Sequence, residues 1–229
     1  MSQQHTDTRF YGRRKSRPLK PRQQRLAEEL LPALRVAADE ARLGAPGTLF
    51  SPPRERVALE IGFGGGEHLA RLAEERPDWG FIGAEPFLNG VAKLLVAIAE
   101  KGLENIRIHD GDARKMLPHI GDETLDAVYL LYPDPWPKKR HHKRRFVNQQ
   151  SLDEIHRILK PGGVFFFASD IPHYAGWTLE HVFRHGGLEW LAERADDWRT
   201  PPAGWRPTRY EQKALRAGRR PHYLLFEKR

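Results

Sequence analysis

Val57 to Ile61 is an apolar run broken only by Glu60, and it leads directly into Gly62-Phe63-Gly64-Gly65-Gly66. A strand that ends in glycines implies a tight bend and a close approach of backbone to ligand. Helical character over Glu67 to Glu75 makes this the first half of a βαβ unit, and the same alternation continues along the chain. Phe81 to Ala84 reads as a second strand. Val91, Leu94, Leu95 and Ile98 form a helical stripe, with Gly102 as its C-terminal cap. Ile106 to His109 and Leu125 to Leu131 read as strands three and four. Leu152, Ile155, Ile158 and Leu159 mark a helix that must end before Pro161, and Gly163 to Ser169 follows as a fifth strand. A helix over Tyr174 to His185, a weaker strand at Leu188 to Ala192 and a last strand at Tyr223 to Glu227 complete the pattern. The expected fold is α/β, a doubly wound and mostly parallel sheet with its ligands at the carboxyl ends of the strands.

Residues 1–22 are polar and basic, with Pro18 and Pro21, and read as a flexible arm. Residues 23–229 then form one domain that opens with a helix through Leu26, Leu30, Leu31 and Leu34, followed by a Gly- and Pro-rich loop from Gly44 to Pro53. Lys and Arg outnumber Asp and Glu by 38 to 30, and they crowd into Arg9 to Arg25, Lys138 to Arg145 and Arg206 to Arg220. Such segregation favours a polyanionic partner and an electropositive face beside an acidic pocket. The absence of cysteine excludes disulfides, thiolate catalysis and Cys-ligated metals. No apolar run is long enough to span a bilayer and no secretion signal is visible, so a cytoplasmic location is expected. A monomer and a homodimer fit equally well.

The turn departs from the dinucleotide fingerprint G-x-G-x-x-G, because Glu67 holds the third glycine's place and Glu60 precedes the turn. Carboxylates there repel a pyrophosphate but suit a cationic ligand such as S-adenosylmethionine, which carries a sulfonium and an ammonium and no phosphate. Glu60 fits that charge. Glu85, at the end of the second strand, stands where an acidic residue bonds ribose hydroxyls, and Asp112 with Ala113 can read an adenine edge. The plain alternative is that these acids are ordinary strand-end residues on a solvated rim. With Gly62, the set resembles the cofactor site of the Rossmann-like methyltransferase superfamily, over roughly Val57 to Glu227.

Tyr132-Pro133-Asp134-Pro135-Trp136-Pro137 follows the fourth strand, and its prolines restrict the backbone on both sides of Asp134 and Trp136. Lys138 to Arg145 then holds six Lys or Arg and two His, a density suited to phosphates. His141 and His142 are adjacent, without a third ligand in view, so no metal site is expected. The run PDPWPKKRHHKRR resembles the signature of the bacterial tRNA (guanine-N7-)-methyltransferase family. Thr208-Arg209-Tyr210-Glu211 resembles that family's C-terminal T-[KR]-[FY]-E motif, and Arg13-Arg14 with Arg17 its basic N-terminal arm.

This resemblance implies methyl transfer from S-adenosylmethionine to N7 of a guanine in tRNA, at position 46 of the variable loop. It implies Asp134 as the catalytic residue, also placed at the cofactor, and Lys138 and Asp170 as substrate contacts. Arg140, Lys143, Arg144 and Arg145 would contact RNA, and Thr208, Arg209, Tyr210 and Glu211 would belong to the substrate site. Thr208 and Glu211 also read as a capping box for a helix over Glu211 to Ala217, and Asp170 as a cap for the helix after it. Guanine N7 carries a free lone pair, so its methylation needs no general base; a carboxylate acts there by positioning and electrostatics. Trp136 either stacks on the base or wedges the loop. Two rivals remain open: a methyltransferase for a small molecule or protein, and a non-catalytic RNA-binding protein on the same fold.

Overall fold

The computed structural model describes residues 17–229. Arg13 and Arg14, and most of the expected arm, lie outside these residues. The helical pattern begins at Pro21, two residues inside the segment read as arm, and breaks at Leu30 into α1 (Pro21–Glu29) and α2 (Leu31–Leu34). Pro32 explains the break, because its ring and missing N–H prevent one continuous helix. Asn89 Nδ2 donates to the Arg17 carbonyl at 2.8 Å, tying the start of the described chain to the helix beside the glycine turn.

The βα alternation then runs β1 (Val57–Ile61), α3 (Glu67–Glu75), β2 (Gly80–Ala84), α4 (Leu88–Lys101), β3 (Ile106–His109), α5 (Ala113–Met116) and β4 (Leu125–Leu131). It continues with α6 (Gln149–Ile158), β5 (Leu159–Ser169), α7 (Pro172–His185), β6 (Leu188–Trp190), α8 (Asp196–Arg199), α9 (Arg209–Arg216) and β7 (His222–Lys228). Among the described residues these strands form one seven-stranded sheet in the order β3-β2-β1-β4-β5-β7-β6. The five strands β1 to β5 pair in parallel, and β7 enters antiparallel between β5 and β6.

Strand alternation distributes the core to two faces. Val57, Leu59 and Ile61 join one cluster with Leu152, Ile155 and Ile158 of α6 and Tyr174 and Val182 of α7. Ala58 and Phe81 join the other, with Leu69 of α3, Val91, Leu94 and Leu95 of α4 and Leu31 of α2. Strand order reverses at β1, where β2 leaves to one side and β4 lies on the other. In a doubly wound sheet that reversal opens a crevice at the carboxyl ends of the strands, and the glycine turn lies there. No helix among the described residues is long and apolar enough to cross a membrane.

Candidate active site

A cavity of about 610 Å³ opens over the ends of β1, β2 and β4. Gly62, Gly64, Glu85, Asp112 and Ala113 form one part of its wall, and Tyr132, Asp134, Trp136, Arg144 and Tyr210 form another. Segments expected to hold cofactor and segments expected to hold substrate thus share one space.

The glycine turn explains its own composition. Gly64 has φ +57°, and a Cβ there would lie 3.1 Å from the Tyr210 ring. Gly90, in the first turn of α4, passes so close that its Cβ would stand 2.1 Å from the Gly64 carbonyl oxygen. The Gly64 amide, on the other side of that residue, donates to Glu85 Oε2 at 2.8 Å. Glu85 Oε1 accepts from the Phe87 amide at 2.9 Å. Burial raises the Glu85 pKa above the ordinary glutamate value, the two amides oppose the rise, and the negative fields of Asp134 and Glu60 add to it.

Glu60 and Asp112 are engaged within the protein. Glu60 is buried, does not line the cavity, and accepts from His68 Nδ1 at 2.8 Å, beneath Tyr129 and Trp205. Asp112 lines the cavity, but its carboxylate caps α5 through the Arg114 amide at 3.1 Å and holds Arg114 Nη2 at 2.6 Å. Of the three acids at strand ends, Glu85 is the one held by backbone amides at the turn itself. Arg114, a basic side chain in the cavity wall, is paired with the Asp112 carboxylate beside it.

The loop after β4 is more constrained than its prolines require. Tyr132 has φ +51° and Trp136 φ +42°, a left-handed conformation rare for large side chains and costing on the order of 1–3 kcal/mol each. Between them Asp134 projects at the cavity mouth. It is open to solvent on one side and crowded by protein on the other, and this partial burial raises its pKa above the ordinary aspartate value. Among the described residues no hydrogen-bond donor holds it. Arg144 lies over the Trp136 ring at 4.9 Å, and His141 meets the same ring edge-on at 5.9 Å.

Lys139 to Arg144 form 3-10 turns with Lys138, Lys139, Arg140 and Lys143 exposed, as a phosphate-facing run requires. Arg145 corrects the expectation of an RNA contact. It is only 1% exposed, donates from Nε to the Pro135 carbonyl at 2.9 Å and reaches His173 Nδ1 through Nη2 at 3.1 Å. The basic run ends at Arg145 because the following Phe146 and Val147 turn into the core, a signal present in the sequence as the switch from charged to apolar residues.

At the C-terminal motif Thr208 caps α9, accepting from the Glu211 amide at 3.2 Å. The capping box is only half formed. Glu211 is buried and accepts from Trp205 Nε1 at 2.8 Å and from Tyr223 Oη at 2.5 Å, so its carboxylate faces the sheet and not the helix start. Tyr132 packs with Trp205 and Tyr223 in the same cluster, linking this anchor to the loop after β4. Tyr210 is exposed and reaches the cavity beside Gly64, with Arg209 near its ring. Asp170 does not cap α7, whose cap position is Ile171; it pairs with Arg219 at 2.5 Å. It follows the end of β5 and is not among the residues that line the cavity. Among the described residues no group of three His, Cys, Asp or Glu can hold a metal ion.

Residues 54–224 match the family model described as "Putative methyltransferase". The tRNA (guanine-N(7)-)-methyltransferase of Agrobacterium fabrum is 53% identical over 220 residues, covering 96% of this chain and 95% of that protein. The tRNA (guanine-N(7)-)-methyltransferase of Rhizobium meliloti is 54% identical over 219 residues, covering 96% and 94%. The chain belongs to the bacterial tRNA (guanine-N7-)-methyltransferase family. Solved structures agree on the fold: the 16S rRNA methyltransferase KamB superposes with a TM-score of 0.56 at 14% identity, over 76% of this chain and 88% of that one. An antibiotic-related methyltransferase gives 0.53 at 16% identity, over 84% and 94%. Family membership therefore rests on the near-full-length relatives, and the Rossmann-like architecture on both.

Proposed function

We propose that this chain methylates N7 of a guanine in tRNA, at position 46 of the variable loop, with S-adenosylmethionine as donor. The observation that carries the reading is Asp134: a carboxylate that no donor among the described residues holds, displayed by a strained loop over the same cavity as Glu85. Glu60, Asp112, Arg114, Asp170, Arg219 and Glu211 are already paired. An acceptor kept unpaired at a cavity mouth is suited to the N1–H and N2–H edge of a guanine.

S-adenosylmethionine would supply an electrophilic methyl group, to which the N7 lone pair would bond as the carbon–sulfur bond breaks and S-adenosylhomocysteine leaves, without loss of a proton. The protein's task is placement and charge. Glu85 would bind the ribose hydroxyls, with Gly62 and Ala113 giving close backbone approach and Asp112 beside the adenine. Asp134 orients the guanine, and its negative charge favours the positive charge that develops on the purine ring. Lys138, Arg140 and Lys143 hold the phosphates of a nucleotide drawn out of its stack, while Tyr210 and Arg144 border the space it enters. The engagement of Glu60 with His68 sets it behind the cavity wall, where it contributes field and not contact.

Transcripts with 7-deazaguanine at the target should not be methylated, and undiminished methylation would refute the N7 assignment. Mapping of 7-methylguanosine in tRNA treated with protein and donor locates the position. For Asp134→Ala, donor binding should survive while turnover falls about 100-fold or more, within the range for loss of a preorganised electrostatic group; normal turnover removes Asp134 from the mechanism.

A further inference from the structure

Arg145 is the largest fully buried side chain among the described residues, yet it closes a run of exposed bases. Its contacts all lie within the protein. Nε donates to the Pro135 carbonyl at 2.9 Å, Nη2 meets His173 Nδ1 at 3.1 Å, and the guanidinium lies over the Tyr174 and Trp177 rings at 4.8 and 4.9 Å. Among the described residues no carboxylate pairs with it, and Nη1 is buried without a hydrogen-bond partner. A buried charge with an unsatisfied donor is a poor device for stability, since an apolar side chain of similar volume fills such a place at lower cost. Its value has to come from what it holds.

What it holds is the peptide that joins Pro135 to Trp136, and Trp136 is one of the two left-handed residues of the loop. The other end of the linkage is well fixed. Tyr174 Oη accepts from the Phe146 amide at 3.1 Å, and Trp177 Nε1 donates to the Val147 carbonyl at 2.7 Å, so the first turns of α7 clamp the segment that carries Arg145. The guanidinium's planar fork spans from that clamp to the loop and sets the direction in which Asp134 and Trp136 face the cavity.

We infer that Arg145 is a positioning residue for methyl transfer, holding the loop of Asp134 from within, and not a contact to RNA. This rests on the methyl-transfer reading above. Wild-type protein that fails to form 7-methylguanosine in tRNA refutes that reading; the variants below decide the inference when the wild type is active.

The experiment measures kcat, KM for tRNA and the salt dependence of tRNA binding for Arg145→Ala, Arg145→Lys and, as a surface control, Lys143→Ala. Arg145→Ala should lose about tenfold to 100-fold in kcat, the scale expected when a catalytic group is misplaced by an ångström or so, with KM within about twofold. Arg145→Lys keeps the charge but not the fork and should recover little. Added guanidinium at millimolar concentration should restore part of the Arg145→Ala rate. Lys143→Ala should instead raise KM and reduce the slope of log affinity against log salt by roughly 0.7–0.9. His173→Ala removes only the outer partner of the guanidinium, from an exposed position that folding tolerates, and should lower kcat partially without raising KM. The inference is overturned if Arg145→Ala behaves as Lys143→Ala does. It is equally overturned if the folded Arg145→Ala or His173→Ala protein turns over at the wild-type rate. Should Arg145→Ala not fold, His173→Ala and Arg145→Lys decide alone: unchanged kcat in either refutes the role.

Discussion

Gly90→Ala tests whether the cavity floor is fixed by the contact between α4 and the glycine turn. Helix propensity alone favours the change by about 0.5–1 kcal/mol, since alanine orders more cheaply than glycine inside a helix. The structure reverses that sign. The new Cβ would lie 2.1 Å from the Gly64 carbonyl oxygen, about 1 Å inside the closest approach such atoms tolerate, and 3.4 Å from Glu85 Cγ. The obstruction is backbone, so no rotamer change relieves it. Overpacking of this kind costs about 1–3 kcal/mol, which leaves a net destabilisation of ~1–2 kcal/mol and a fall in Tm of roughly 2–8 °C for a chain of this size. The relief available is an outward shift of the turn, which lengthens the 2.8 Å bond from the Gly64 amide to Glu85. Cofactor affinity should therefore weaken at least about tenfold, by the loss of one or more charge-assisted hydrogen bonds. Differential scanning calorimetry and titration with S-adenosylhomocysteine read the two effects separately. If Gly90→Ala melts at or above the wild-type temperature with undiminished affinity, the turn is not held by this contact and the reasoning fails.

Two further outcomes follow from the site. Glu85 has a pKa raised by burial, so cofactor affinity should fall with acidification at a higher pH than an ordinary glutamate would dictate, because the carboxylate accepts from ribose hydroxyls more strongly than the neutral acid does. The sign for stability is opposite: this group's stabilising contribution is full below its unfolded pKa and is lost as pH rises through the raised folded value, so the difference between wild type and Glu85→Gln in the apo protein should favour the wild type more at low pH. Matching pH slopes for affinity and stability would contradict this assignment. Trp205→Phe keeps an aromatic ring against Phe166 and Tyr223 but removes the donor to buried Glu211, and should destabilise by about 1–3 kcal/mol in denaturant titration. Unchanged stability there would show that Glu211 does not depend on Trp205.

The relation between sequence and structure differs between the fold and the site for a physical reason. The bounds of β1, α3, β3 and β4 coincide with the apolar periods that mark them, because the residues each element must bury are written in its own consecutive positions. The start of β5 was less legible. Leu159 completes the buried stripe of α6 and also pairs with Leu125, so one apolar residue serves helix and strand, and Pro161 and Gly162 hide the strand behind breaker residues. The cavity's membership was legible for Gly62, Glu85, Asp112, Ala113 and Asp134, since strand order brings those ends together, whereas Arg144 and Tyr210 reach it from the basic turns and from α9 and were expected there only from the resemblance.

What each charge touches was not legible. Glu60 with His68, Asp170 with Arg219, Glu211 with Tyr223 and Arg145 with Pro135 are pairings made by tertiary packing, and composition assigns all such residues to solvent or ligand alike. The distribution of those pairings carries the functional argument further than the motif does. A charge-assisted hydrogen bond contributes about 1.5–3 kcal/mol, comparable with the strain of one left-handed residue. Arg145 on the Pro135 carbonyl and the Tyr132 cluster on Glu211 therefore act at the two ends of the strained loop and together can offset what Tyr132 and Trp136 cost. Arg145 and Glu211 are engaged in holding the loop, and among the described residues Asp134, at its centre, has no hydrogen-bond partner. Loss of either anchor should consequently be felt at Asp134 before it is felt in the core.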